Sequence, residues 1–258
     1  MSDEKLKIDA RRSRIIDILN RDGQVRIADL SRELSATSVT IRYDLDALER
    51  DGYLERTQGG ATQTSLNCFN RECIRKKKEN AAAKKKIARA AADLIEDGDT
   101  ILINSGTTTY FIAAALKQKR NLRIVTNSLT VAIELGSAPT FHVVLLGGEI
   151  NSHDSFTYGS DVLEQLGRYR ARYAILSIDG VCADGRVSTL HAEEALVERM
   201  MIERANETVI VADKGKLGRE GFLHVCTLDA GSRLVTERGA DPGIIRALKQ
   251  KDIKVTQV

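Results

Sequence analysis

The chain has 258 residues, which predicts one or two domains, and its 42% hydrophobic and 29% charged residues are ordinary for a globular protein. No apolar run reaches the roughly 18 residues of a membrane span. The charged N-terminus lacks the apolar core of an export signal, so we expect a cytoplasmic protein. The four cysteines (Cys68, Cys73, Cys182 and Cys226) lack the CxxC spacing of a zinc site, and we expect free thiols, no metal site and no cofactor.

The net charge of +3 is unevenly distributed along the chain. Residues 62–90 carry nine basic and two acidic side chains, whereas residues 1–61 have a net charge of −1 and residues 91–258 a net charge of −3. Two interpretations fit this basic segment: a solvated linker helix, or an electrostatic attraction to a polyanion such as DNA. The sequence before the segment bears on the choice.

The first forty residues predict two short helices and a tight break. Residues 11–21 contain four apolar residues at helical spacing, and Asp22-Gly23 ends this predicted helix. Apolar residues recur at helical spacing again from Ile27 to Leu34. Ser35-Ala36-Thr37 breaks the second helix, and Thr37 is a suitable N-cap for a third.

The third predicted helix, from Ser38 to Asp51, is amphipathic. Ile41, Leu45 and Leu48 form one apolar stripe, and Gly52 is placed to end the helix. The opposite face carries Val39, Arg42, Tyr43, Asp46 and Arg50. Two helices joined by a tight break, the second with a polar outer face, are typical of a helix-turn-helix, whose second helix enters the major groove of DNA. Residues 53–60 follow as an extended stretch and a turn, as in the hairpin of a winged helix.

Residues 38–61 resemble the DNA-binding signature of the DeoR family of bacterial regulators of sugar metabolism. The resemblance rests on Ser38-Val39-Thr40-Ile41-Arg42-Tyr43-Asp44-Leu45, then Leu48, Gly52 and Arg56-Thr57-Gln58-Gly59-Gly60-Ala61. Tyr43 and Gln58 depart from the Arg and His usual in the family. The resemblance implies a winged helix-turn-helix domain at residues 1–61 that binds an operator in double-stranded DNA. The residues implied to contact DNA are Thr37, Ser38, Val39, Thr40, Arg42, Tyr43 and Arg56.

The remainder of the chain predicts a basic linker at residues 62–79 and an α/β domain with a mainly parallel sheet at residues 80–258. A helix is expected at residues 79–96, and strands then alternate with helices. The expected strands are Thr100–Ile103, Leu122–Thr126, His142–Leu146, Tyr173–Ile178 and Thr208–Ala212. The expected helices are residues 107–118, 128–136, 160–168 and 192–205.

Polar and glycine-rich residues follow all five predicted strands, at the edge where ligands bind to such sheets. Asn104-Ser105-Gly106-Thr107-Thr108-Thr109 leads from the first strand into a helix, whose free N–H groups suit an anion. An ordinary Ser/Thr-rich helix start is the alternative interpretation of this one turn. The turn lacks the lysine of a nucleoside triphosphate-binding loop. The five clusters together favour a polar, anionic small ligand.

This half of the chain also resembles the DeoR effector domain, which is related to ribose-5-phosphate isomerase and glucosamine-6-phosphate deaminase. The matching residues are Ser105-Gly106-Thr107-Thr108-Thr109, Thr126-Asn127-Ser128, Gly147-Gly148, Ser155 with Gly159, Asp179-Gly180, Gly185 with Ser188-Thr189, Glu194-Ala195, and Asp213 with Lys216. The resemblance implies a sugar-phosphate effector held by Ser105, Gly106, Thr107, Thr108, Asn127, Gly148, Asp179, Gly180, Glu194 and Lys216. In that assignment the Ser105–Thr108 loop holds the phosphate, Lys216 is its cationic partner, and Asp179 and Glu194 face the sugar hydroxyls.

We therefore expect a DNA-binding regulator, a repressor of a carbohydrate uptake or catabolic operon that a phosphorylated sugar releases from its operator. We expect a homodimer or homotetramer and no membrane partner. Residues Asp179-Gly180-Val181-Cys182 lack the acidic run of the isomerases, which predicts binding without turnover. The alternative is a sugar-phosphate isomerase or an amino-sugar-phosphate deaminase with an appended small domain. A third interpretation of the sequence is an RNA-binding or scaffold protein. His191 is interpreted as part of a polar helix start and not as a metal ligand or catalytic group.

Overall fold

The computed structural model describes residues 3–50, 53–62 and 79–258. The chain divides into two compact units, Met1–Arg71 and Glu72–Val258, which are described separately. The predicted helix end at Gly52, cysteines Cys68 and Cys73 and most of the predicted basic linker lie outside the described residues. The predicted boundaries 1–61, 62–79 and 80–258 stay a prediction. Within the described ranges, no helix is both long and apolar enough to cross a membrane.

The first unit is a winged helix-turn-helix, as the sequence predicts. Its elements in chain order are α1 (Asp3–Asp22), β1 (Gln24–Arg26), α2 (Ile27–Glu33), α3 (Ser38–Arg50), β2 (Glu55–Thr57) and β3 (Gly60–Thr62). The three strands form an antiparallel sheet in the order β1-β3-β2. Because β1 is only three residues long, periodicity did not predict it as a strand.

The core of this unit is built from one apolar stripe on each helix. Ile15 and Leu19 of α1 pack with Leu30 of α2 and with Ile41 and Leu45 of α3, all of them fully or almost fully buried. Thr37 caps α3 as predicted, since its Oγ1 accepts a hydrogen bond from the Thr40 amide at 3.1 Å. This packing orders α3 and leaves its other face exposed.

The second unit is a three-layer α/β domain around a seven-stranded parallel sheet, which confirms the predicted class. The sheet strands are β4 (Thr100–Ile103), β5 (Arg123–Thr126), β6 (His142–Leu145), β9 (Ala171–Ser177), β12 (Ala205–Val211), β14 (Arg233–Thr236) and β15 (Lys254–Gln257). Their order is β15-β14-β12-β9-β4-β5-β6, and every neighbouring pair is parallel. All five predicted strands are present. β14 and β15 were not predicted.

Helices cover both faces of the large sheet. One apolar core joins α4 (Ala81–Asp93), α5 (Thr107–Leu116) and α6 (Leu129–Gly136) to one face, and the other joins α7 (Ser160–Leu166), α8 (Ala192–Glu203) and α9 (Pro242–Gln250) to the opposite face. Strand neighbours alternate between the two cores: Ile101 and Ile103 pack under α4 and α5, and Leu102 packs on the other side. Burial on both faces explains why these strands are continuous apolar runs in the sequence.

Two small antiparallel sheets complete the second unit. The hairpin β7 (Glu149–Asn151) and β8 (Phe156–Tyr158) is one of them. The other has the order β10-β11-β13, formed by β10 (Gly180–Val181), β11 (Arg186–Thr189) and β13 (Leu223–Thr227). Neither sheet was predicted.

Candidate functional site

The exposed face of α3 is the candidate DNA-binding surface. Thr37, Ser38, Val39, Arg42 and Tyr43 are exposed, and Thr40 is half-buried. Val39 and Tyr43 are 57% and 71% exposed, unusual for large apolar or aromatic side chains on a helix that has a core nearby. The structure therefore brings six of the seven predicted DNA contacts onto one surface around the start of α3.

Arg56, the seventh predicted contact, is engaged within the unit. Its guanidinium donates hydrogen bonds to the Asp46 carboxylate and to the carbonyl of Gly60. Its amide donates to Glu49 Oε1 at 2.9 Å. These bonds tie β2 of the wing to the second half of α3. The structure thus gives Arg56 a role in holding the wing against α3, and a DNA contact by this side chain stays a prediction.

Buried Asp44 fixes the position of α3 against α1. Its two carboxylate oxygens accept hydrogen bonds from the Nε atoms of Arg11 and Arg12 at 2.5 and 2.9 Å, and its side chain is 3% exposed. Burial of a carboxylate requires such pairing. Arg11 and Arg12 therefore bind Asp44 across α1 and α3, and Arg14 Nη2 lies 3.9 Å from Glu33 Oε1.

The second candidate site is a cavity of about 470 Å³ at the carboxyl ends of neighbouring strands β4, β9 and β12. The chain runs from β4 to β5 and β6 on one side and then crosses to β9 on the other side of β4. Such a reversal of strand order opens a crevice at the strand ends, where ligands bind to α/β sheets. The cavity is lined by Glu79, Asn80, Lys84, Ser105, Gly106, Thr107, Thr130, Asp154, Ser177, Ile178, Asp179, Thr189, Leu190, His191, Glu194, Asp213, Gly215, Lys216 and Arg219.

One wall of the cavity is the turn from β4 into α5. Gly106 precedes the helix with φ +153°, and a Cβ atom there would lie 2.8 Å from Cβ of Ser177 on β9. Only glycine fits this close approach without a shift of Ser177. No side chain caps the start of α5. The N–H groups of its first turn have no partner inside the helix, so they are suited to an anion.

Next to this turn, two carboxylates share one hydroxyl group, and Ser105 Oγ also donates to Glu194 Oε1 at 3.5 Å. Thr189 Oγ1 lies 3.1 Å from Asp179 Oδ2 and 3.1 Å from Glu194 Oε2, and its single hydrogen can be donated to only one of them. Burial, and next the Asp179 charge, raises the pKa of Glu194 to about 7. The pair therefore holds acceptors for a further donor, such as a ligand hydroxyl.

Basic side chains approach the cavity from two elements. Lys216 lies on a 3₁₀ turn after β12, donates to the carbonyl of Ile178, and has its Nζ atom 3.7 Å from Asp179 Oδ1. Lys84 of α4 also lines the cavity although it is only 5% exposed. Lys84 belongs to the basic segment at residues 62–90, for which the charge pattern predicts a solvated helix or an attraction to a polyanion, and for this lysine that prediction is wrong. Its spacing from Ile87, Ala88 and Ala91 places it on the apolar side of α4 and was the signal that we missed.

The cavity wall contains six of the ten predicted effector residues: Ser105, Gly106, Thr107, Asp179, Glu194 and Lys216. The other four lie away from this wall, and packing explains their residue types. Thr108 is buried in α5, and Asn127 donates to the carbonyl of Thr157. A Cβ at Gly148 would lie 2.5 Å from the Tyr158 carbonyl, and one at Gly180 would lie 2.4 Å from the Arg219 carbonyl. Their roles as effector contacts stay a prediction.

Asn104 supports the cavity from beneath. Its Nδ2 donates to the Ser177 carbonyl at 2.8 Å and to Glu198 Oε1 at 2.7 Å, and its Oδ1 accepts from the Ser177 amide at 2.9 Å. These bonds clamp the ends of β4 and β9 together. Burial holds the pKa of Glu198 well above its usual range, with the Glu194 charge as the next cause. Burial therefore disfavours the charged form of Glu198, whose Oε1 accepts the hydrogen bond from Asn104.

Comparison with known proteins covers both units. The model of the DeoR-like helix-turn-helix domain matches residues 11–66, and that of the DeoR C terminal sensor domain matches residues 79–238. The uncharacterized HTH-type transcriptional regulator YulB of Bacillus subtilis is 33% identical over 96% of each protein. The glycerol-3-phosphate regulon repressor of Escherichia coli is 30% identical over 97% of this chain and 99% of that protein.

Two further similarities complete the comparison. The lactose phosphotransferase system repressor of Lactococcus lactis is 33% identical over 93% of this chain and 95% of that protein. Among solved structures, ribose 5 phosphate isomerase A from Neisseria gonorrhoeae superimposes with a TM-score of 0.40 at 19% identity, over 52% of each chain. The family models and the full-length relatives agree with the geometry of both units: the chain belongs to the DeoR family and is a transcriptional regulator, not an enzyme.

Proposed function

We propose that the chain represses a carbohydrate uptake or catabolic operon and leaves its operator when a phosphorylated sugar binds the cavity of the second unit. The exposed face of α3, with Arg42 and Tyr43, reads the operator in the major groove. We place this activity in the cytoplasm, where the protein meets DNA, and assign it to a homodimer or homotetramer. Residues 1–61, 62–79 and 80–258 act as DNA-binding domain, basic linker and effector domain.

The observation that carries this proposal is the polarity of the cavity. Its α5 end offers the unpaired amides of a helix N-terminus beside Ser105 and Thr107, which suits a phosphate. Beside this turn, where Ser105 Oγ lies 3.5 Å from Glu194 Oε1, the carboxylates of Asp179 and Glu194 around Thr189 suit hydroxyl donors. A molecule that carries both a phosphate and hydroxyl groups, such as a sugar phosphate, satisfies both sets of groups. Lys84 and Lys216 add positive charge for the phosphate.

A thermal-shift screen of sugar phosphates, each beside its unphosphorylated sugar and inorganic phosphate, tests the proposal. A ligand at a hundred times its Kd stabilises a protein that it binds only in the folded state by about 2.7 kcal/mol. We expect a shift with one or more sugar phosphates and a weaker shift with the matching free sugar. A panel that shifts nothing would refute the effector assignment.

Operator release by the sugar phosphate found in the screen tests the repressor function. The DNA is a duplex selected by the protein from a random library, and release is followed by gel shift at fixed salt. Gly106→Val should bind this duplex like the wild type and fail to respond, because its Cβ and methyl groups enter the close approach to Ser177. Turnover of the sugar phosphate by the purified protein would support the isomerase or deaminase alternative.

A further inference from the structure

The two edges of the large sheet differ in the residues that they expose. At one edge, β15 has the sequence Lys-Val-Thr-Gln and exposes Lys254. At the other edge, β6 has the sequence His-Val-Val-Leu, without Lys, Pro or an acidic residue, and Leu145 is 39% exposed. A lysine, a proline or a bulge on an edge strand usually prevents that strand from pairing with another chain. β6 lacks all three, so its edge is open to pairing over a short stretch.

The hydrogen bonds define how much of β6 is available for pairing. The amide of His142 donates to the carbonyl of Leu122, the residue before β5, and the amide of Leu146 donates to the carbonyl of Thr126 in β5. Backbone groups alternate in direction along a strand, so Val143 directs its N–H and C=O away from the sheet, and so does Leu145. Among the described residues, no partner is bound to these outward groups.

Both ends of this open stretch are closed. The Gly147 amide donates to Gln165 Oε1 at 3.1 Å, and Gln165 Nε2 donates to the Gly147 carbonyl at 2.9 Å, so a side-chain amide occupies the next outward position. On the other side, the Phe141 amide donates to the Ala138 carbonyl at 3.2 Å. The open stretch is therefore Val143-Val144-Leu145, with an outward-facing residue at each end and an apolar residue at every position.

We propose that β6 is the docking site for a second copy of this chain, through antiparallel pairing of the two β6 strands about a two-fold axis at Val144. Val143 would then stand opposite Leu145 of the partner subunit, and the two residues would exchange both of their hydrogen bonds. The two-fold axis repeats this pair, giving four hydrogen bonds. Val144 would lie opposite its own copy. The cross-strand side-chain pairs are all apolar and add to the stability of the ladder.

The choice of a second copy as occupant follows from the symmetry of the open stretch. A three-residue stretch with outward groups at its first and third positions is complementary to itself when reversed, which is the requirement for an isologous contact. The need for a dimer rests on the proposed function, because helix-turn-helix regulators use two-fold dimers to bind paired half-sites. The backbone geometry of β6 holds without that function.

Val143→Pro tests the pairing with a matched control on the opposite edge. Proline at position 143 removes only an outward amide and leaves the bonds to β5 intact. On β15, the amides of Lys254 and Val258 donate to the carbonyls of Ser232 and Thr236. Because the direction alternates along the strand, Val255 directs its amide away from the sheet. Val255→Pro is therefore the control, and both valines are half-buried.

The readout is sedimentation of the full chain without DNA or effector. We expect the wild type to be a dimer. Val143→Pro should raise the dimer dissociation constant about tenfold or more, because two of the four hydrogen bonds are lost. Val255→Pro should leave this constant unchanged. A wild-type monomer, or a Val143→Pro dimer of unchanged affinity, would overturn the proposal. Because no DNA is present, such a result would leave the DNA-binding function standing.

Val144→Cys tests the same axis and remains informative if Val143→Pro does not fold. Directly opposed residues of a non-hydrogen-bonded pair have Cα atoms about 4.5 Å apart, within reach of a disulfide. Under oxidation we expect a covalent dimer of Val144→Cys on non-reducing gels, beyond any formed by the wild-type cysteines. Val255→Cys is the matched control. Equal cross-linking of the two variants would overturn the two-fold axis at Val144.

Discussion

Glu194→Gln should make effector binding independent of the titration of Glu194. Glu194 competes with Asp179 for the single hydroxyl of Thr189, and burial, with the Asp179 charge as the next cause, raises the pKa of Glu194 to about 7. A ligand hydroxyl that donates to Glu194 favours the ionised carboxylate and lowers this pKa. Effector binding should therefore release a proton, and affinity should rise with pH until Glu194 is ionised before the ligand arrives.

The size of the effect follows from the pKa of Glu194. The difference between its ordinary value of 4.5 and about 7 corresponds to about 3 kcal/mol. The cavity opens to solvent, so we expect about half of this, which is a roughly tenfold rise in affinity between about pH 5.5 and 7.5. The free protein shows the opposite linkage. Because its folded-state pKa is raised, Glu194 contributes stability that is fully present below pH 4.5 and is lost as pH rises through about 7.

Calorimetric titration with the sugar phosphate at several pH values, in two buffers of different ionisation enthalpy, measures both affinity and proton release. The phosphate itself titrates near pH 6, and the Glu194→Gln variant reports that contribution alone. The wild type should show the steeper pH dependence. Equal pH dependence and equal proton release in the two proteins would refute the reasoning.

Three further predictions concern single residues with matched controls. Arg42→Ala should weaken operator binding by about 1–3 kcal/mol and relax the sequence preference in gel shifts, because Arg42 is exposed on the outer face of α3; unchanged binding would remove Arg42 from the interface. Lys84→Gln should weaken effector binding by roughly 10- to 100-fold, while exposed Lys85→Gln should not, because only Lys84 lines the cavity; equal affinities would show that Lys84 does not meet the ligand. Asp44→Asn should destabilise the first unit by about 2 kcal/mol in urea unfolding followed by circular dichroism, against less than about 0.5 kcal/mol for exposed Asp17→Asn, since Arg11 and Arg12 lose a buried partner; similar midpoints would contradict this account.

The elements that the sequence predicted correctly are those stabilised by local patterns. Helix α3 has an apolar stripe, the Thr37 cap and a polar outer face, and all three are visible within fourteen residues. Strands β4, β5, β6, β9 and β12 are apolar runs because both sheet faces are covered. The small sheet β10-β11-β13 was missed because its pairing joins residues distant in sequence, such as Val187 with Cys226. Helix α9 was missed although Asp241-Pro242 is a recognisable start, with Asp241 capping the Gly243 amide.

The candidate effector site was predictable only where a strand end supplied it. Ser105, Asp179 and Lys216 were found because parallel strands bring their carboxyl ends to one edge of the sheet. Glycines at the same edge are ambiguous in sequence, since a glycine needed for close packing, such as Gly148 or Gly180, looks the same as one that faces a ligand. Lys84 is not predicted as a cavity residue because a run of charged residues suggests that all of them are exposed. In the helix, Lys84 is buried while Lys85 and Lys86 are exposed.

The position of Lys84 bears on how an effector can change DNA binding. To turn a population that is 99% operator-bound into one that is 99% free, a ligand must favour the free state by about 5.5 kcal/mol, and contacts that are equal in both states contribute nothing. Asn104 ties the end of β4 to Ser177 of β9 and to Glu198 of α8, the helix that carries Glu194, so contacts to the α5 turn and to Glu194 are expected to be similar in both states. Glu79, Asn80 and Lys84 lie at the start of α4, the first described helix after residues 63–78, and Asn80 holds a left-handed conformation with φ 53°. The differential contacts are therefore expected at the start of α4, which gives Lys84→Gln a second expected effect: the operator should be released less completely even at saturating effector.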